Sequence, residues 1–227
     1  MQLKKLTKTR KGEDKRRYDD ACAAAHGMDL IGDRWAMPLV RELLLGPRRF
    51  GDLKASLRGI SANVLTQRLA DLEEAGILVR RKLPPPASVQ VYELTAWGYE
   101  AAPIFQAMGR WAVRSPRHDP GRPFSPVSLM LSLRTMFNAE SAGDFAARIN
   151  LRMAGERFFW VREGADIRIG RGEIADADFT LAGTPTEIAG VVYGGAPLDS
   201  IGIEGDIALA ERFVTLFPMP PKAQAAS

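Results

Sequence analysis

The sequence predicts a mainly α N-terminal domain followed by a smaller α+β domain, and three observations predict it. Through the first half, apolar residues recur at helical spacing, and two short helices are separated by a glycine turn. A basic hairpin with three prolines at its tip follows those helices. Beyond a proline-rich break, short alternating runs bounded by glycines give way to capped helices.

Taken in order, Met1–Arg17 is rich in Lys and Arg and almost devoid of apolar residues. It is expected to be a disordered basic arm, either a solvated tail or a strand of charge lying on a polyanion. Tyr18–Ile31 reads as a first helix with Cys22, Ala25, Met28 and Leu30 available for packing. Cys22 is either a small apolar packing residue or a redox sensor, the second requiring a reachable thiolate. Cys22 and His26 stand at i, i+4, but the one other histidine is His118, so no metal site is expected. Trp35–Leu45 is the next helix, with Trp35, Leu39, Leu43 and Leu44 as its core stripe and Pro38 tolerated in its first turn.

Gly46-Pro47 ends that helix, and Arg48 and Arg49 come where cations meet phosphates. Phe50, Leu53 and Leu57 place an apolar stripe on a short helix, Gly59 permits a sharp turn, and Ser61 is a good N-cap for the next helix. Leu65, Leu69 and Leu72 share one face of that second helix, which leaves Asn63, Thr66 and Gln67 on or beside the opposite one. Ser61, Asn63, Thr66 and Gln67 offer the donors and acceptors that read base edges in a major groove. Arg68, nearer the leucine face, reaches a phosphate or pairs internally with a carboxylate such as Glu42 or Glu73. After Gly76 the period changes from helix to strand: Ile77–Lys82 and Val89–Leu94 are joined by Leu83–Ser88, whose prolines mark a hairpin tip. Arg80, Arg81 and Lys82 put cations on this hairpin, suited to phosphate or minor-groove contact. Helix, turn, helix and basic wing make a winged helix-turn-helix.

Thr95 caps a long amphipathic helix in which Trp97, Ile104, Phe105, Met108 and Trp111 keep helical spacing, with a kink expected near Pro103. A small winged domain cannot bury this stripe as well as its own core, so the stripe is expected to form a homodimer interface. Ser115–Pro126 carries four prolines and is a linker. The expected divisions are an arm at 1–17, a DNA-binding and dimerisation domain at 18–115, a linker at 116–126 and an α+β domain at 127–220.

The segment from Cys22 to about Arg117 resembles the HxlR-type winged helix-turn-helix transcriptional regulators. The resemblance rests on Asp29–Trp35, Arg41–Phe50, Gly59-Ile60-Ser61, Val64–Leu69, Tyr92–Thr95 and Pro103–Trp111. It implies a homodimeric bacterial DNA-binding protein, dimerised through its terminal helix. In many members of that family a cysteine stands where Cys22 does, and in some it senses oxidants.

The remaining residues are too apolar for a tail. Val127–Phe137 reads as a helix, and Phe145–Leu151, Arg157–Arg162, Asp166–Ile169 and Asp178–Leu181 alternate like strands. Thr184 or Thr186 then caps a helix to Tyr193, and Gly205-Asp206 opens a last one. The runs Ala175–Gly195 and Ile201–Phe217 are similar to the sterol-carrier-protein fold, which implies a cavity for a small hydrophobic effector. Phe158, Trp160, Phe179, Tyr193, Phe213 and Phe217 either line such a pocket or form plain core.

Composition excludes other classes. Of 227 residues 46% are hydrophobic and 26% charged, and no apolar run reaches the length of a membrane span. The basic N-terminus is followed by no apolar segment, so a signal peptide is not expected, and a single cysteine fits a reducing cytoplasm. The net charge of +4 divides unevenly: residues 1–120 carry 21 Lys+Arg against 14 Asp+Glu, and the rest 10 against 13. A polyanion such as double-stranded DNA is therefore expected to touch the first half. No nucleophile elbow, phosphate loop or cofactor motif is present, so neither catalysis nor a cofactor is expected. The alternative to a regulator is a carrier of hydrophobic ligands that uses the winged domain only to dimerise. The polar helix edge and the basic wing separate the two, since a scaffold needs neither.

Overall fold

The computed structural model describes residues 18–224, so the basic arm expected at 1–17 lies outside the described residues. Two hydrophobic cores stand side by side, one built from residues 36–94 and one from residues 127–217.

The first core is wrapped by α1 (Ala23–Ile31), α2 (Ala36–Leu43), α3 (Phe50–Ser56) and α4 (Ala62–Glu74), followed by an antiparallel hairpin of β1 (Leu78–Lys82) and β2 (Gln90–Leu94). Leu39, Val40 and Leu43 of α2 meet Leu53 of α3 and Leu65, Leu69 and Leu72 of α4, all fully or almost fully buried. Gly59 turns the chain between α3 and α4 at φ +86°, a conformation that side chains oppose. Ser61 then caps α4 by accepting from the Val64 N–H at 3.3 Å.

The long helix expected after Thr95 is divided. Thr95 Oγ1 accepts from the Gly98 N–H at 3.0 Å and caps α5 (Ala96–Tyr99), and α6 (Ala102–Ala112) restarts at once with Pro103 in its first turn. The missing proline N–H costs nothing there, whereas it would break a continuous helix.

The second core begins with α7 (Pro126–Met136) and α8 (Ala139–Ala142) and continues through β3 (Ala147–Met153), β4 (Glu156–Glu163), β5 (Asp166–Arg171) and β6 (Phe179–Gly183). Then come α9 (Pro185–Gly194), β7 (Gly202–Gly205) and α10 (Ile207–Val214). The five strands run in the order β5-β4-β3-β6-β7, antiparallel except for the parallel pair β3 and β6. β7 has no counterpart among the strands expected from the sequence: it has four residues with glycine at each end, and its signal merges with that of the following helix. Thr184, not Thr186, caps α9, in a capping box with Glu187.

The volume between sheet and helices is filled rather than hollow. Phe145, Trp160, Phe179, Phe213 and Phe217 pack edge to face and stacked, with ring centroids 4.8–6.5 Å apart. Of the two readings left open for these aromatics, packing against one another as plain core is the one their ring contacts match.

The two cores are fastened together. α7 packs on α6 and on α2. Glu42 of α2 is fully buried; it accepts from Arg41 Nη2 at 2.8 Å and from the hydroxyl of Ser125, the residue that caps α7, at 2.6 Å. Arg48, ahead of α3, is buried and ion-pairs with Glu156 at the start of β4, and Arg171 of β5 pairs with the same carboxylate. Near the C-terminus, Lys222 Nζ donates to the Val113 carbonyl at 3.0 Å, at the end of α6.

Candidate nucleic-acid interface

α4 is set by its leucines. With Leu65, Leu69 and Leu72 pressed into the core, helical geometry turns Asn63, Thr66 and Gln67 outward, and all three are exposed along with the cap Ser61. The edge is partly pre-organised: Gln67 Nε2 donates to Asp71 Oδ1 at 2.7 Å, one turn on. Arg68 takes neither of the carboxylates anticipated for it. Its guanidinium pairs with Asp71 at 3.0 Å and Asp33 at 3.2 Å, which fastens α4 to the turn before α2. Asp71 thus holds two neighbours, a role its i+4 and i+3 spacing made readable.

Strand period divides the wing cations. Arg80 and Lys82 stand opposite Tyr92 and Gln90 on one face of the hairpin and are exposed. Arg81 points to the other face, where it pairs with Glu93; that hydrogen bond raises the guanidinium pKa further. All three wing cations are exposed, Arg81 in its pair with Glu93 and Arg80 and Lys82 on the opposite face.

Arg48 and Arg49 also separate. Arg49 is exposed at the head of α3, whereas Arg48 is committed to Glu156 and to the Ser56 hydroxyl at 3.2 Å. An arginine only 7% exposed and doubly engaged in this way is a junction residue, which corrects its assignment to the DNA-contacting set.

Residues 30–119 match the HxlR-like helix-turn-helix family. The HTH-type transcriptional regulator YvaP of Bacillus subtilis is 37% identical over 86 residues, which cover 37% of this chain and 79% of YvaP. YodB of the same organism is 35% identical over 83 residues, covering 37% of this chain and 74% of YodB. The chain belongs to the HxlR-like family of transcriptional regulators. A regulator of Synechocystis, sll1512, is 40% identical over 87 residues; those residues span 64% of its length. The solved reduced form of YodB aligns over 44% of this chain and 100% of YodB, with a TM-score of 0.40 and 30% identity. The family is one of regulators and not of enzymes.

Two further features of this HxlR-like chain lie at its surface. Trp97, Ile104, Met108 and Trp111 form an apolar surface on α5 and α6, with Trp111 77% exposed. Phe105, grouped with them from its spacing, instead turns inward and packs against the N-terminal core. Cys22 is a free, exposed thiol immediately before α1. The N–H groups of Ala25 and Ala24 hold its pKa below the ordinary cysteine value.

The six aromatics considered for a ligand pocket do not converge on one. Phe158, Trp160, Phe179, Phe213 and Phe217 are almost fully buried in the second core, and Phe179 also borders a shallow polar recess. Tyr193 alone of the six reaches the large cavity between the cores. Among the described residues no group of three or more His, Cys, Asp and Glu is placed to hold a metal, and no helix is long and apolar enough to cross a membrane.

Proposed function

We propose that this chain is a cytoplasmic homodimeric regulator that binds double-stranded operator DNA. α4 enters the major groove and the β1–β2 wing rests on the adjacent backbone. One observation carries the reading: an exposed polar edge of Ser61, Asn63, Thr66 and Gln67 stands on a helix whose leucine face is wholly buried, with Arg80 and Lys82 alongside. A carrier that used this unit only to dimerise would have no use for that edge. The surface of Trp97, Ile104, Met108 and Trp111 is the dimer contact, and two-fold symmetry then presents two α4 helices to half-sites about one DNA turn apart.

Within the DNA-contacting set, Gln67 and Asn63 discriminate bases, while Arg49, Arg80 and Lys82 hold phosphates. We assign the domain limits as 18–115 for the winged unit, 116–126 for the linker and 127–220 for a sterol-carrier-like unit that modulates DNA affinity through a small hydrophobic effector. Cys22 is its candidate oxidant sensor.

The test is a gel shift with DNA from upstream of the protein's own gene, over a salt series. Replacing Arg80 and Lys82 together by Ala is expected to weaken binding across sequences and to lower the salt slope by about 0.9 for each phosphate no longer neutralised. Gln67→Ala is expected to relax base preference at one position in each half-site. Undiminished affinity and an unchanged slope in the double variant would refute the reading.

A further inference from the structure

A cavity of about 760 Å3 lies between the two cores, within the span of roughly 300–1,000 Å3 typical of sites for drug-sized ligands. Its walls come from both units: Met37 of α2, Phe105 and Met108 of α6, Leu131 of α7, and Ala189 and Tyr193 of α9. Neither unit alone would enclose it.

The chemistry of the wall is specific. It is overwhelmingly apolar, and Arg41, which borders it, is engaged by buried Glu42 through Nε at 3.1 Å and Nη2 at 2.8 Å. A charged ligand would meet that neutralised pair, and a charge carried into an apolar site without a partner is strongly disfavoured. The wall also carries polar side chains, among them His118, whose Nδ1 is buried without a partner, and the pair Ser132 and Tyr193. The hydroxyls of Ser132 and Tyr193 lie 2.8 Å apart, so one donates to the other and one O–H hydrogen is left over. Burial pushes the Tyr193 phenol up, outweighing the opposing pull of Ser132, so it remains a protonated donor at any physiological pH.

We propose that this junction cavity binds an uncharged, largely apolar molecule carrying a hydroxyl or carbonyl oxygen, which accepts a hydrogen bond from the Ser132–Tyr193 pair. Calling that molecule an effector rests on the regulator reading above; its binding does not. The site belongs to the junction and not to the aromatic core of the second unit, which is full. Occupancy bears on α6, whose Met108 and Trp111 line the cavity and also belong to the surface proposed to meet a partner.

Nile red, an uncharged apolar fluorophore with a ring carbonyl, tests the site when titrated into the full chain in the absence of DNA. Saturable binding of one dye per protomer with blue-shifted emission is expected. Tyr193→Phe, which removes one oxygen and keeps the ring, weakens it about three- to tenfold. Ala112→Phe, which fills the cavity from the α6 wall, abolishes it while the circular dichroism melt stays cooperative. Ile207→Ser, at an exposed apolar position on α10 outside both the cavity and the proposed dimer surface, leaves the affinity unchanged. Affinity that is unmoved by Tyr193→Phe and Ala112→Phe, or that falls as much with Ile207→Ser, overturns the proposal, as does an absence of saturable binding. A gel shift that fails while the dye titration succeeds would instead remove the DNA reading and leave the cavity standing.

Discussion

Glu156→Gln is the sharpest probe of how the two units are joined. In the native protein one carboxylate holds Arg48 from the winged unit and Arg171 from the sheet, and the side chains of Arg48 and Glu156 are 8% and 27% exposed. Removing one member of a buried ion pair costs about 3–5 kcal/mol, because the charge left behind is uncompensated. The partial exposure of Glu156 screens some of this, and the glutamine oxygen keeps one hydrogen bond. A loss of about 2–3 kcal/mol is therefore expected, read from urea unfolding at pH 7 by far-UV circular dichroism. Burial pushes the Glu156 carboxyl up, but the two arginines outweigh it and the net shift is downward. Arg171 is itself pushed down by burial and by Arg48, more than Glu156 raises it, yet a guanidinium stays charged throughout. A carboxylate with a lowered folded pKa contributes its stability above the ordinary glutamate value of about 4.3 and loses it as pH falls through the folded value. The gap between wild type and Glu156→Gln must therefore be full at neutral pH and narrow as the solution is acidified. A gap below about 0.5 kcal/mol at pH 7, or one that persists unchanged into acid, would refute the account.

Other substitutions have equally definite outcomes. Arg49→Ala should lower the salt slope of DNA binding by about 0.9, whereas Arg48→Met should leave the slope alone and lower the unfolding midpoint. Ile104→Asp on the exposed face of α6 should convert the proposed dimer to a monomer in sedimentation equilibrium, while Phe105→Ala, at a partly buried position, should cost about 1–3 kcal/mol of stability before it affects assembly. The Cys22 thiol should alkylate with a pH midpoint below that of free cysteine, because the Ala25 and Ala24 N–H groups favour the thiolate; a midpoint at or above that of free cysteine would remove it as a sensor candidate.

Much of the winged unit is legible in the sequence because its determinants are local. The leucine spacing of α4, the Ser61 and Thr95 caps, Gly59 and the proline hairpin each act within a few residues. The pairing of charges across distance is not legible in that way. Arg48 and Arg49 are adjacent and chemically identical, yet one faces Glu156, 108 residues away, and the other faces solvent. Arg81 is indistinguishable from its neighbours until the hairpin register sets it diagonal to Glu93. In the second unit the alternating runs announce strands, but β7 is too short to register, and the parallel pairing of β3 with β6 is invisible to a pattern that reports only which face is buried. Five of the six aromatics have the composition of a pocket and the fate of a core, while Tyr193 borders the junction cavity, since aromatic spacing is the same whether or not space is left beside the rings.

The way the second unit is attached constrains how it can act. Its contacts fall on α2, on α6 and on Arg48, and the polar edge of α4 stays uncovered. In this arrangement it does not cover the surface proposed to meet DNA. What it can move is α6, which packs on α7 across Arg110 and the Thr135 carbonyl at 3.1 Å, walls the cavity, and carries the apolar surface proposed to meet a partner. A ligand that favours one position of α6 by 1–3 kcal/mol, the usual scale of allosteric coupling, would change DNA affinity by roughly 5- to 150-fold through the spacing of two half-sites. The Glu156 and Glu42 contacts tie the sheet and α7 to the winged unit, so a change in the cavity is expected to fall on α6. On that argument Glu156→Gln should weaken the effect of a cavity ligand on DNA affinity even where the ligand itself binds as well as before.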